Sequence, residues 1–382
     1  MELSTDQLRR YARQVILPEL GLAGQKKICA GSVVCVGAGG LGSPVLMYLA
    51  AAGVGKLGIV DADVVELPNL QRQVIHDTTD VGRPKTESAR EKLERLNPDV
   101  QIVSHPVRLN STNALEIICG YDVVVDATDN LPTRYLLNDA CVILQKPLVY
   151  GAVFRFEGQA SVLAPHLGGP CYRCIFPEPP PPEAVPSCAE AGVLGVLPGV
   201  IGCIQACEAL KLLIGSGELL LGRLLVFDAL TMRARELRLR RDPACPACGK
   251  QRSIEQLVDY EQFCGLRASQ ASSGADSYEV SVHELKSALM NPGSGITVVD
   301  IREPAEYAIS HLPGTIHIPL GELARRAGEL NPARTIYLLC KSGSRSLKAV
   351  ALLRSLGFAH VKSVRGGLDA WRAEIDPRLP SY

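Results

Sequence analysis

Residues 32–42, SVVCVGAGGLG, are the stretch that decides the fold of the first part of the chain. A short β-branched run leads into the glycine pattern Gly37, Gly39, Gly40 and Gly42. A helical pattern follows over residues 43–52, and LGIVDAD (residues 57–63) predicts a second strand. This order is typical of a βαβ nucleotide-binding unit, so we predict an α/β, Rossmann-like fold.

Charged and amide side chains follow the two predicted strands. Asp61 and Asp63 end the second strand, and Asp61 lies where such folds place the acid that binds a ribose. Another apolar run, residues 122–127, predicts a strand that ends before Asp129 and Asn130. Because carboxyl ends of parallel strands meet at one sheet edge, these groups should face one ligand. The further candidates for binding it are Asn69, Leu70, Gln71, Arg72, Gln73 and Lys85.

The identity of that nucleotide has two interpretations. A GxGxxG loop with an acid after the second strand most often binds NAD or FAD, which would make the protein an NAD(P)-dependent oxidoreductase. Arg72 and Lys85 favour a triphosphate, because the charge on a leaving pyrophosphate has to be neutralised. Asp129 could hold Mg²⁺ against phosphate oxygens. Taken singly, these three side chains could equally be solvated surface groups or a helix cap.

Composition narrows the class of protein. A length of 382 residues suggests two or three domains. Lys plus Arg and Asp plus Glu are both 40, so no global basic field would attract nucleic acid or an anionic membrane. The apolar stretch 193–214 contains Gln205, Glu208 and Lys211, which predicts a buried core helix instead of a membrane span. With a polar first segment, the chain is expected to be cytoplasmic.

The thirteen cysteines fall into groups by context. Two CxxC pairs, Cys171 with Cys174 and Cys245 with Cys248, could supply four thiolates to a closed tetrahedral Zn²⁺ site. The alternative is four ordinary cysteines. Six others lie in or beside apolar stretches and are expected to be inert core residues: Cys29, Cys35, Cys119, Cys141, Cys203 and Cys207. Cys264 has no assignment.

A second domain is predicted after a polar linker. We expect residues 1–264 to form the first domain, 265–278 the linker and 279–382 a smaller α/β domain. In the second domain, IYLL runs into CKSGSR, residues 340–345, and a helix follows. A thiol in a small-residue loop before a helix, with Lys341 and Arg345 alongside, is in a setting that favours the nucleophilic thiolate. The alternative for Cys340 is a buried cysteine that closes a strand.

Eight motifs of the first domain resemble, in order and spacing, the MoeB/ThiF adenylyltransferases, which are E1-like relatives of ubiquitin-activating enzymes. They are RYARQ (10–14), GAGGLGS, DADVVELPNLQRQ, GRPK, DATDN, CYRC, SCAEAGVLG and CPAC. The resemblance implies ATP on the glycine loop with Asp61 on its ribose, and Mg²⁺ on Asp129. It also implies a homodimer in which Arg13 reaches the ATP of the partner protomer. Asn69, Arg72 and Lys85 would hold the phosphates.

The same resemblance implies a substrate. It is the C-terminal Gly-Gly carboxylate of a small ubiquitin-like sulfur carrier, which would attack the α-phosphate of ATP. Pro68 departs from the family pattern and removes one backbone donor near the phosphates.

The second domain is similar to a single-domain rhodanese over about residues 279–376, through VVDIREPAEY, SHLPGTIHIP, the Cys340 loop and RGGLDAW. Rhodaneses carry sulfur as a persulfide on the loop cysteine. Asp300, Arg302, His311 and His317 are expected to have structural roles. Cys188 follows the proline run 177–186, and from spacing alone it could equally be a helix-start residue without chemistry. The resemblance favours a chemical role, because the adenylyltransferases keep a crossover-loop cysteine there, and we expect Cys188 to form a thioester or to resolve a disulfide.

Together these patterns predict an adenylyltransferase–sulfurtransferase resembling the MoeZ-like fusions. ATP, Mg²⁺ and Zn²⁺ are the expected cofactors. The expected partners are a Gly-Gly sulfur carrier and a persulfide or thiosulfate donor, with no nucleic acid and no membrane. The alternatives are the NAD(P)-dependent oxidoreductase with a redox cysteine domain, and a zinc-stapled scaffold that binds a ubiquitin-like partner without catalysis.

Overall fold

Two units make up the chain in the computed structural model, Met1–Ala268 and Ser269–Tyr382. The structure describes residues 2–180, 192–264, 278–291, 293 and 295–380. Cys188 and residues 265–277 of the predicted linker therefore lie outside the described residues.

In the described part of the first unit, eight strands form one mixed sheet in the order β3-β2-β1-β4-β5-β6-β7-β8. Strands β1 to β5 are parallel where they pair, and β5 to β8 pair antiparallel. The strands are β1 (Ser32–Val36), β2 (Lys56–Val60), β3 (Gln101–His105), β4 (Val123–Asp126), β5 (Leu148–Phe154), β6 (Glu157–Leu163), β7 (Arg223–Asp228) and β8 (Arg233–Arg238).

Helices cover the sheet. They are α1 (Thr5–Val15), α2 (Gly21–Ala30), α3 (Gly42–Ala52), α4 (Lys85–Leu96), α5 (Ala114–Cys119), α6 (Leu131–Leu144), α7 (Tyr172–Ile175), α8 (Val196–Ile214) and α9 (Tyr260–Phe263), with short 3₁₀ turns at Leu67–Asn69, Thr78–Asp80 and Pro165–Leu167. The predicted βαβ unit is therefore present as β1, α3 and β2. Crossovers of this kind bury strands on both faces, which explains the continuous apolar runs in β1 and β4.

Helix α8 is the apolar stretch of the sequence analysis. By length and composition alone it is the one helix of the described chain that could cross a membrane, and 44% of its apolar window is buried inside the protein. It packs against α3, β5 and β6, with Leu197, Ile201 and Ala209 in the core. The prediction of a core helix is correct for this face. Val196, on another face, is exposed.

Three of the predicted core cysteines are not in the core. Cys29, Cys35 and Cys141 are buried as predicted, but Cys119 and Cys207 are exposed and Cys203 is half-buried. The prediction was wrong for Cys119 because it lies in the last turn of α5, and for Cys207 because it lies on the outer face of α8. Apolar neighbours in the sequence do not show which helix face a side chain occupies.

The second unit has a five-stranded sheet in the order β11-β10-β12-β13-β9, in which all pairs are parallel. Its strands are β9 (Glu279–Val280), β10 (Ile296–Asp300), β11 (Ile316–His317), β12 (Thr335–Leu339) and β13 (Val361–Val364). Its helices are α10 (Val282–Met290), α11 (Pro304–Ile309), α12 (Leu320–Arg326), α13 (Ser344–Ser355) and α14 (Gly367–Glu374), with a 3₁₀ turn at Ala327–Glu329. Two apolar clusters fill the space between its sheet and these helices.

Candidate functional site

A cavity of about 390 Å³ opens at the carboxyl ends of β1, β2 and β4. Ten of the predicted ligand-binding residues line it: Gly37, Gly39, Gly40, Asp61, Asp63, Arg72, Gln73, Lys85, Asp129 and Asn130. This is the edge at which open parallel sheets bind their ligands. The structure thus gathers residues from five separate segments of the sequence into one concave site.

Glycine is required in this loop because backbone segments pack closely against it. Gly37 has φ +102°, and a Cβ there would lie 2.6 Å from the carbonyl oxygen of Ala127. A Cβ on Gly42 would lie 2.0 Å from the carbonyl oxygen of Gly37. Gly42 therefore supports the loop from beneath at the start of α3 and does not line the cavity.

Asp61 is tied to the loop and to its own neighbour. One carboxylate oxygen accepts a hydrogen bond from the amide of Ala38 at 2.8 Å, and the other accepts from the amide of Asp63 at 2.9 Å. These bonds fix the carboxylate at the cavity wall. A fixed carboxylate beside a glycine loop can accept hydrogen bonds from the hydroxyls of a ribose.

Lys85 reaches the cavity from the start of α4. Its side chain is buried, and its ammonium group donates a hydrogen bond to Asp63 at 3.0 Å. The Asp63 carboxylate is exposed to solvent, so water weakens its attraction to the ammonium group. The ion pair therefore holds the ammonium group at the cavity without fully neutralising its positive charge. Such a group can neutralise phosphate charge.

Arg72 and Gln73 contribute two further polar groups. Arg72 donates a hydrogen bond to the carbonyl oxygen of Pro68 at 3.3 Å. Gln73 is buried, and its Oε1 has no hydrogen-bond partner among the described residues. A buried amide oxygen at a cavity wall without a protein partner fits a site that takes a polar ligand.

Besides Gly42, four predicted site residues do not line the cavity. The Oδ1 of Asn69 accepts a hydrogen bond from the amide of Glu66 at 3.3 Å and closes a 3₁₀ turn. Leu70 and Gln71 continue that segment, and Gln71 is exposed. Arg13 is exposed on α1.

Asp129 and Asn130 stand at the start of α6. Asp129 is exposed and lines the cavity, while Asn130 caps the helix by accepting a hydrogen bond from the amide of Thr133 at 3.0 Å. An exposed carboxylate at a phosphate-sized site suits Mg²⁺, which binds one or two carboxylates together with phosphate oxygens. The carboxylate of Asp129 is therefore a suitable ligand for Mg²⁺.

An ion pair between the buried Asp126 and the largely buried Arg134 was not predicted from the sequence. Asp126 accepts hydrogen bonds from the amide and the hydroxyl of Thr128 through one oxygen, and its other oxygen lies 3.9 Å from the Nε of Arg134. Burial raises the pKa of Asp126, and the charge of Arg134 opposes that rise. The two residues are close in the sequence, since Asp126 begins DATDN and Arg134 follows four residues after that motif. Only the fold shows that the two side chains form a largely buried ion pair.

A second cavity, of about 230 Å³, adjoins the first. Asp129, Arg134 and Val153 line both cavities. The remaining walls are largely aromatic or apolar: Leu131, Tyr150, Ala152, Phe154, Tyr172, Phe176 and Pro180, with Glu157 and Gln159. A molecule that entered here would approach the nucleotide cavity beside Asp129.

The two CxxC pairs meet. The four Sγ atoms of Cys171, Cys174, Cys245 and Cys248 all lie within 4.8 Å of one another. Neighbouring sulfurs are 3.4 to 3.8 Å apart. A tetrahedron with Zn–S bonds of about 2.3 Å has S–S separations of about 3.8 Å. The donor set and its spacing therefore fit a closed, structural zinc site.

The first CxxC pair is anchored to α6. Arg173 forms a bidentate ion pair with Asp139 at 2.8 Å for both bonds, and the hydroxyl of Tyr260 donates to the same carboxylate at 2.6 Å. Asn138 accepts a hydrogen bond from the amide of Tyr172 at 2.6 Å. Because both charges are buried and fully paired, this network holds the first CxxC pair in one position on α6.

In the second unit, Cys340 follows β12 and begins the predicted loop before α13. The amide of Gly343 donates to its Sγ at 3.1 Å, and the hydroxyl of Ser346 lies 3.5 Å from the same sulfur. Cys340 is 1% exposed, as the alternative of a buried, strand-closing cysteine predicts. The cysteine closes a strand in the core, and its sulfur is held by loop donors.

Arg345 does not stand as a lone cation beside the thiol. It donates two hydrogen bonds to Glu306 of α11, at 2.6 and 2.7 Å. The other predicted structural residues have local partners as expected. Asp300 and Arg302 form a fully buried ion pair, and His317 contacts the carbonyl oxygen of Arg302 at 2.7 Å. His311 contacts the carbonyl oxygen of Tyr307 at 3.1 Å.

The RGGLDAW motif closes over the Cys340 loop. Gly366 and Gly367 both have positive φ, and a Cβ on Gly367 would lie 2.3 Å from the carbonyl oxygen of Cys340. The amide of Leu368 donates to that same carbonyl at 3.0 Å. The glycines are thus required by close approach of two backbones.

Comparison with known proteins finds a family match for each of the two units. The profile of the ThiF family matches residues 11–247, and the profile of the Rhodanese-like domain matches residues 281–374. The protein named "Probable adenylyltransferase/sulfurtransferase MoeZ" from Mycobacterium tuberculosis is 46% identical over 385 residues, covering 100% of this chain and 96% of its own. "Adenylyltransferase and sulfurtransferase MOCS3" of Mus musculus is 45% identical over 408 residues, covering 100% of this chain and 88% of its own.

Solved structures share the fold at lower identity. MccB of E. coli superposes with a TM-score of 0.58 at 22% identity, covering 65% of this chain and 76% of its own. PaaA superposes with a TM-score of 0.52 at 20% identity, covering 62% and 75%. The match to the ThiF profile and the full-length relatives settle the family. The chain belongs to the ThiF family, with a rhodanese-like domain after the ThiF domain, and is an enzyme of the adenylyltransferase/sulfurtransferase group.

Proposed function

We propose that this enzyme adenylates the C-terminal Gly-Gly of a small ubiquitin-like sulfur carrier and then converts it to a thiocarboxylate with sulfur held on Cys340. We assign the first reaction to residues 1–264 and the second to residues 279–382. The observation that supports the assignment most directly is the nucleotide cavity, where Asp61, Lys85 and Asp129 converge. Neither a hydride-transfer enzyme nor a passive scaffold requires that combination beside a second, donor-lined cysteine loop.

In the first reaction, a carboxylate oxygen of the carrier attacks the α-phosphorus of ATP. A new P–O bond forms, the bond to the β-phosphate bridging oxygen breaks, and pyrophosphate leaves. Asp61 binds the ribose, while Lys85 and Arg72 neutralise the leaving pyrophosphate. Asp129 would hold Mg²⁺, which supplies further neutralisation of the phosphate oxygens. Residues 69–71 would complete the phosphate site through the backbone and the side chain of Asn69.

The carrier tail fits the second cavity. That cavity has a volume of about 230 Å³ and largely apolar and aromatic walls, and it shares Asp129 and Arg134 with the nucleotide cavity. A Gly-Gly tail has no side chains to obstruct a narrow passage. Arg134 would receive its carboxylate before the reaction, because a guanidinium group is suited to that partner.

In the second reaction, the Cys340 thiolate takes the outer sulfur of thiosulfate, and sulfite leaves. The terminal persulfide sulfur then attacks the acyl-adenylate carbon, a C–S bond forms and AMP leaves. This gives an acyl disulfide between the carrier and Cys340. The amide of Gly343 at 3.1 Å is positioned to bind a negative sulfur at the loop.

Release requires a second thiol. We assign this to Cys188, whose thiolate attacks the Sγ of Cys340, so that a disulfide forms and the carrier leaves as a thiocarboxylate. An external dithiol then reduces the disulfide. The four-cysteine cluster would hold one Zn²⁺ as a structural staple. The exposed Arg13 does not line the cavity of its own chain, in agreement with a homodimer in which it serves the partner's ATP. The need for Mg-ATP and reduced thiols is met in the cytoplasm.

The test is the intact mass of a Gly-Gly carrier after incubation with the full chain, Mg-ATP and thiosulfate. We expect one carrier oxygen to be replaced by sulfur with wild type and not with Cys340→Ser. Pyrophosphate should be released with both. Cys188→Ala should keep pyrophosphate release and slow thiocarboxylate formation. An absence of pyrophosphate with several carriers, together with a nicotinamide absorbance change, would contradict the proposal and support the oxidoreductase.

A further inference from the structure

Two serine hydroxyl groups lie buried beneath Cys340. Ser346, in the first turn of α13, and Ser363, in β13, are both 0% exposed. Their hydroxyl oxygens are 2.7 Å apart. The Ser346 hydroxyl is 3.5 Å from the Sγ of Cys340 and 2.9 Å from the carbonyl oxygen of Gly343. The Ser363 hydroxyl is 3.5 Å from that same carbonyl.

The protons available in this cluster limit what each group can do. Each hydroxyl has one proton to donate, and the acceptors around them are Cys340 Sγ, the Gly343 carbonyl and the other hydroxyl. If Ser346 donates to the sulfur, Ser363 can donate to Ser346 or to Gly343. If Ser346 instead donates to Gly343, it can still accept from Ser363. In both arrangements each hydroxyl proton has an acceptor, so the cluster has two hydrogen-bonding patterns that leave no buried donor unpaired.

We propose that Ser346, oriented by Ser363, is a positioning residue that donates a hydrogen bond to the Cys340 thiolate and turns to the Gly343 carbonyl once the sulfur is loaded. A thiolate attracts the donor because its charge is on Sγ. In a persulfide the charge is on the outer sulfur, and Sγ becomes a weak acceptor. The loaded state rests on the proposed function, whereas the donation to the free thiolate does not.

Other charged groups surround the loop and set a background for any pH effect. Glu306 holds Arg345, and Asp300 holds Arg302. The charged side chains on the loop and on the elements around it include Lys341, Arg345, Lys348, Arg354, Glu306, Asp300, Arg302, Lys362, Arg365, Asp369, Arg372 and Glu374. None of them is altered by a substitution at Ser346 or Ser363, so the hydroxyl contribution can be measured against a constant background.

The experiment measures the rate at which iodoacetamide alkylates Cys340 in the full chain between about pH 5 and pH 10, with the modified peptide quantified by mass spectrometry. For Ser346→Ala, the pH of half-maximal rate should rise by about one unit, because a hydrogen bond to a charged group is lost. Ser363→Ala should give a smaller rise in the same direction. Ser346→Thr keeps the hydroxyl and should stay near wild type.

Ser355→Ala is the matched control. Ser355 lies on the same helix and donates to the carbonyl of Leu352, away from the sulfur. Fluorescence of Trp371, the single tryptophan, reports whether each variant keeps the second unit folded. An unchanged pH midpoint in folded Ser346→Ala would overturn the proposal, as would an equal shift in Ser355→Ala.

A second measurement separates this inference from the proposed function. Persulfide loading from thiosulfate, followed by the mass of the Cys340 peptide, should slow about tenfold in Ser346→Ala if the thiolate loses this donor. If wild type loads no sulfur while the alkylation midpoint still shifts, the sulfur-transfer assignment fails and the positioning role stands for the free thiolate. If loading is normal in both proteins and the midpoint is unchanged, the positioning role fails alone.

Discussion

Arg345 and Glu306 are joined by two hydrogen bonds, 2.6 and 2.7 Å long, across 39 residues of sequence. Their side chains are 16% and 10% exposed. The pair connects the Cys340 loop to α11, and the guanidinium charge is largely neutralised by the carboxylate. The Gly343 amide donates to the sulfur, the Ser346 hydroxyl lies 3.5 Å from it, and Arg345 holds the loop through Glu306.

Glu306→Gln should destabilise the second unit by about 2 kcal/mol, because it leaves a mostly buried guanidinium group without its counter-charge. Urea unfolding followed by Trp371 fluorescence measures this unit selectively, since the sequence has no other tryptophan. Glu329→Gln is the matched control, because Glu329 forms an exposed ion pair with Arg326 in the same unit. Equal unfolding midpoints for all three proteins would contradict the role of Glu306.

Lys85→Ala should lower carrier-dependent ATP–pyrophosphate exchange by about 100-fold, because a charge that stabilises the leaving pyrophosphate is removed. Lys27→Ala serves as the comparison, since the Lys27 ammonium donates to the carbonyl of Ile214 at 2.6 Å and does not line the cavity. Exchange rates are measured with labelled pyrophosphate. A loss of less than about threefold in Lys85→Ala would remove this lysine from the proposed mechanism.

His76 should make the first unit sensitive to acid. Its Nε2 contacts the carbonyl of Ala38 at 2.9 Å and its Nδ1 contacts the hydroxyl of Ser88 at 2.8 Å. Burial lowers the pKa of His76 below its ordinary 6.5, and the nearby charges of Lys92 and Lys85 lower it further. The unfolded chain therefore binds the proton more tightly than the folded chain. Stability is complete above about pH 6.5 and falls as the pH drops below it.

His76→Gln should flatten this acid dependence, because its amide can still donate to Ala38 but cannot take up a proton. The measurement is calorimetric unfolding between about pH 5 and pH 8. The transition of the first unit is the one without a change in the fluorescence of Trp371, because Trp371 lies in the second unit. Parallel curves for wild type and variant would show that another group is responsible.

The purified protein should contain one zinc per chain, and Cys248→Ser should lose it. The thermal midpoint of the first unit should then fall by roughly 5 °C or more, since metal binding energy contributes to folding. Cys119→Ser should retain zinc, because Cys119 is exposed and outside the cluster. Metal content is measured by inductively coupled plasma mass spectrometry. Full zinc occupancy in Cys248→Ser would contradict the assignment of the four ligands.

Local chemistry explains what could be predicted from sequence. Gly37 and Gly42 are forced by contacts between backbone segments at the ends of one short loop, so the bounds of the βαβ unit were predictable to within three residues. The meeting of Cys171 with Cys245 was also predictable, because paired thiolates at CxxC spacing have few other uses. In both cases the residue type itself carries the constraint.

Other features depend on contacts between distant segments. Nothing near Glu306 in the sequence indicates that its partner is Arg345, and Ser363 approaches Ser346 because β13 lies beside β12. The Oδ1 of Asn69 closes a local turn with the amide of Glu66, a contact that its expected role at the phosphates did not indicate. The exposure of Cys207 depends on which face of α8 meets the sheet. Such outcomes follow from packing, which periodicity alone does not determine.

The separation of the two CxxC pairs has a consequence for synthesis. Cys171 and Cys245 are 74 residues apart. At a translation rate of about 5 to 20 residues per second, the first pair leaves the ribosome roughly 4 to 15 s before the second. During that interval two thiols are present without their full ligand set. The sheet strands β7 and β8 lie between the pairs, so both strands have been synthesised before the four thiols can meet.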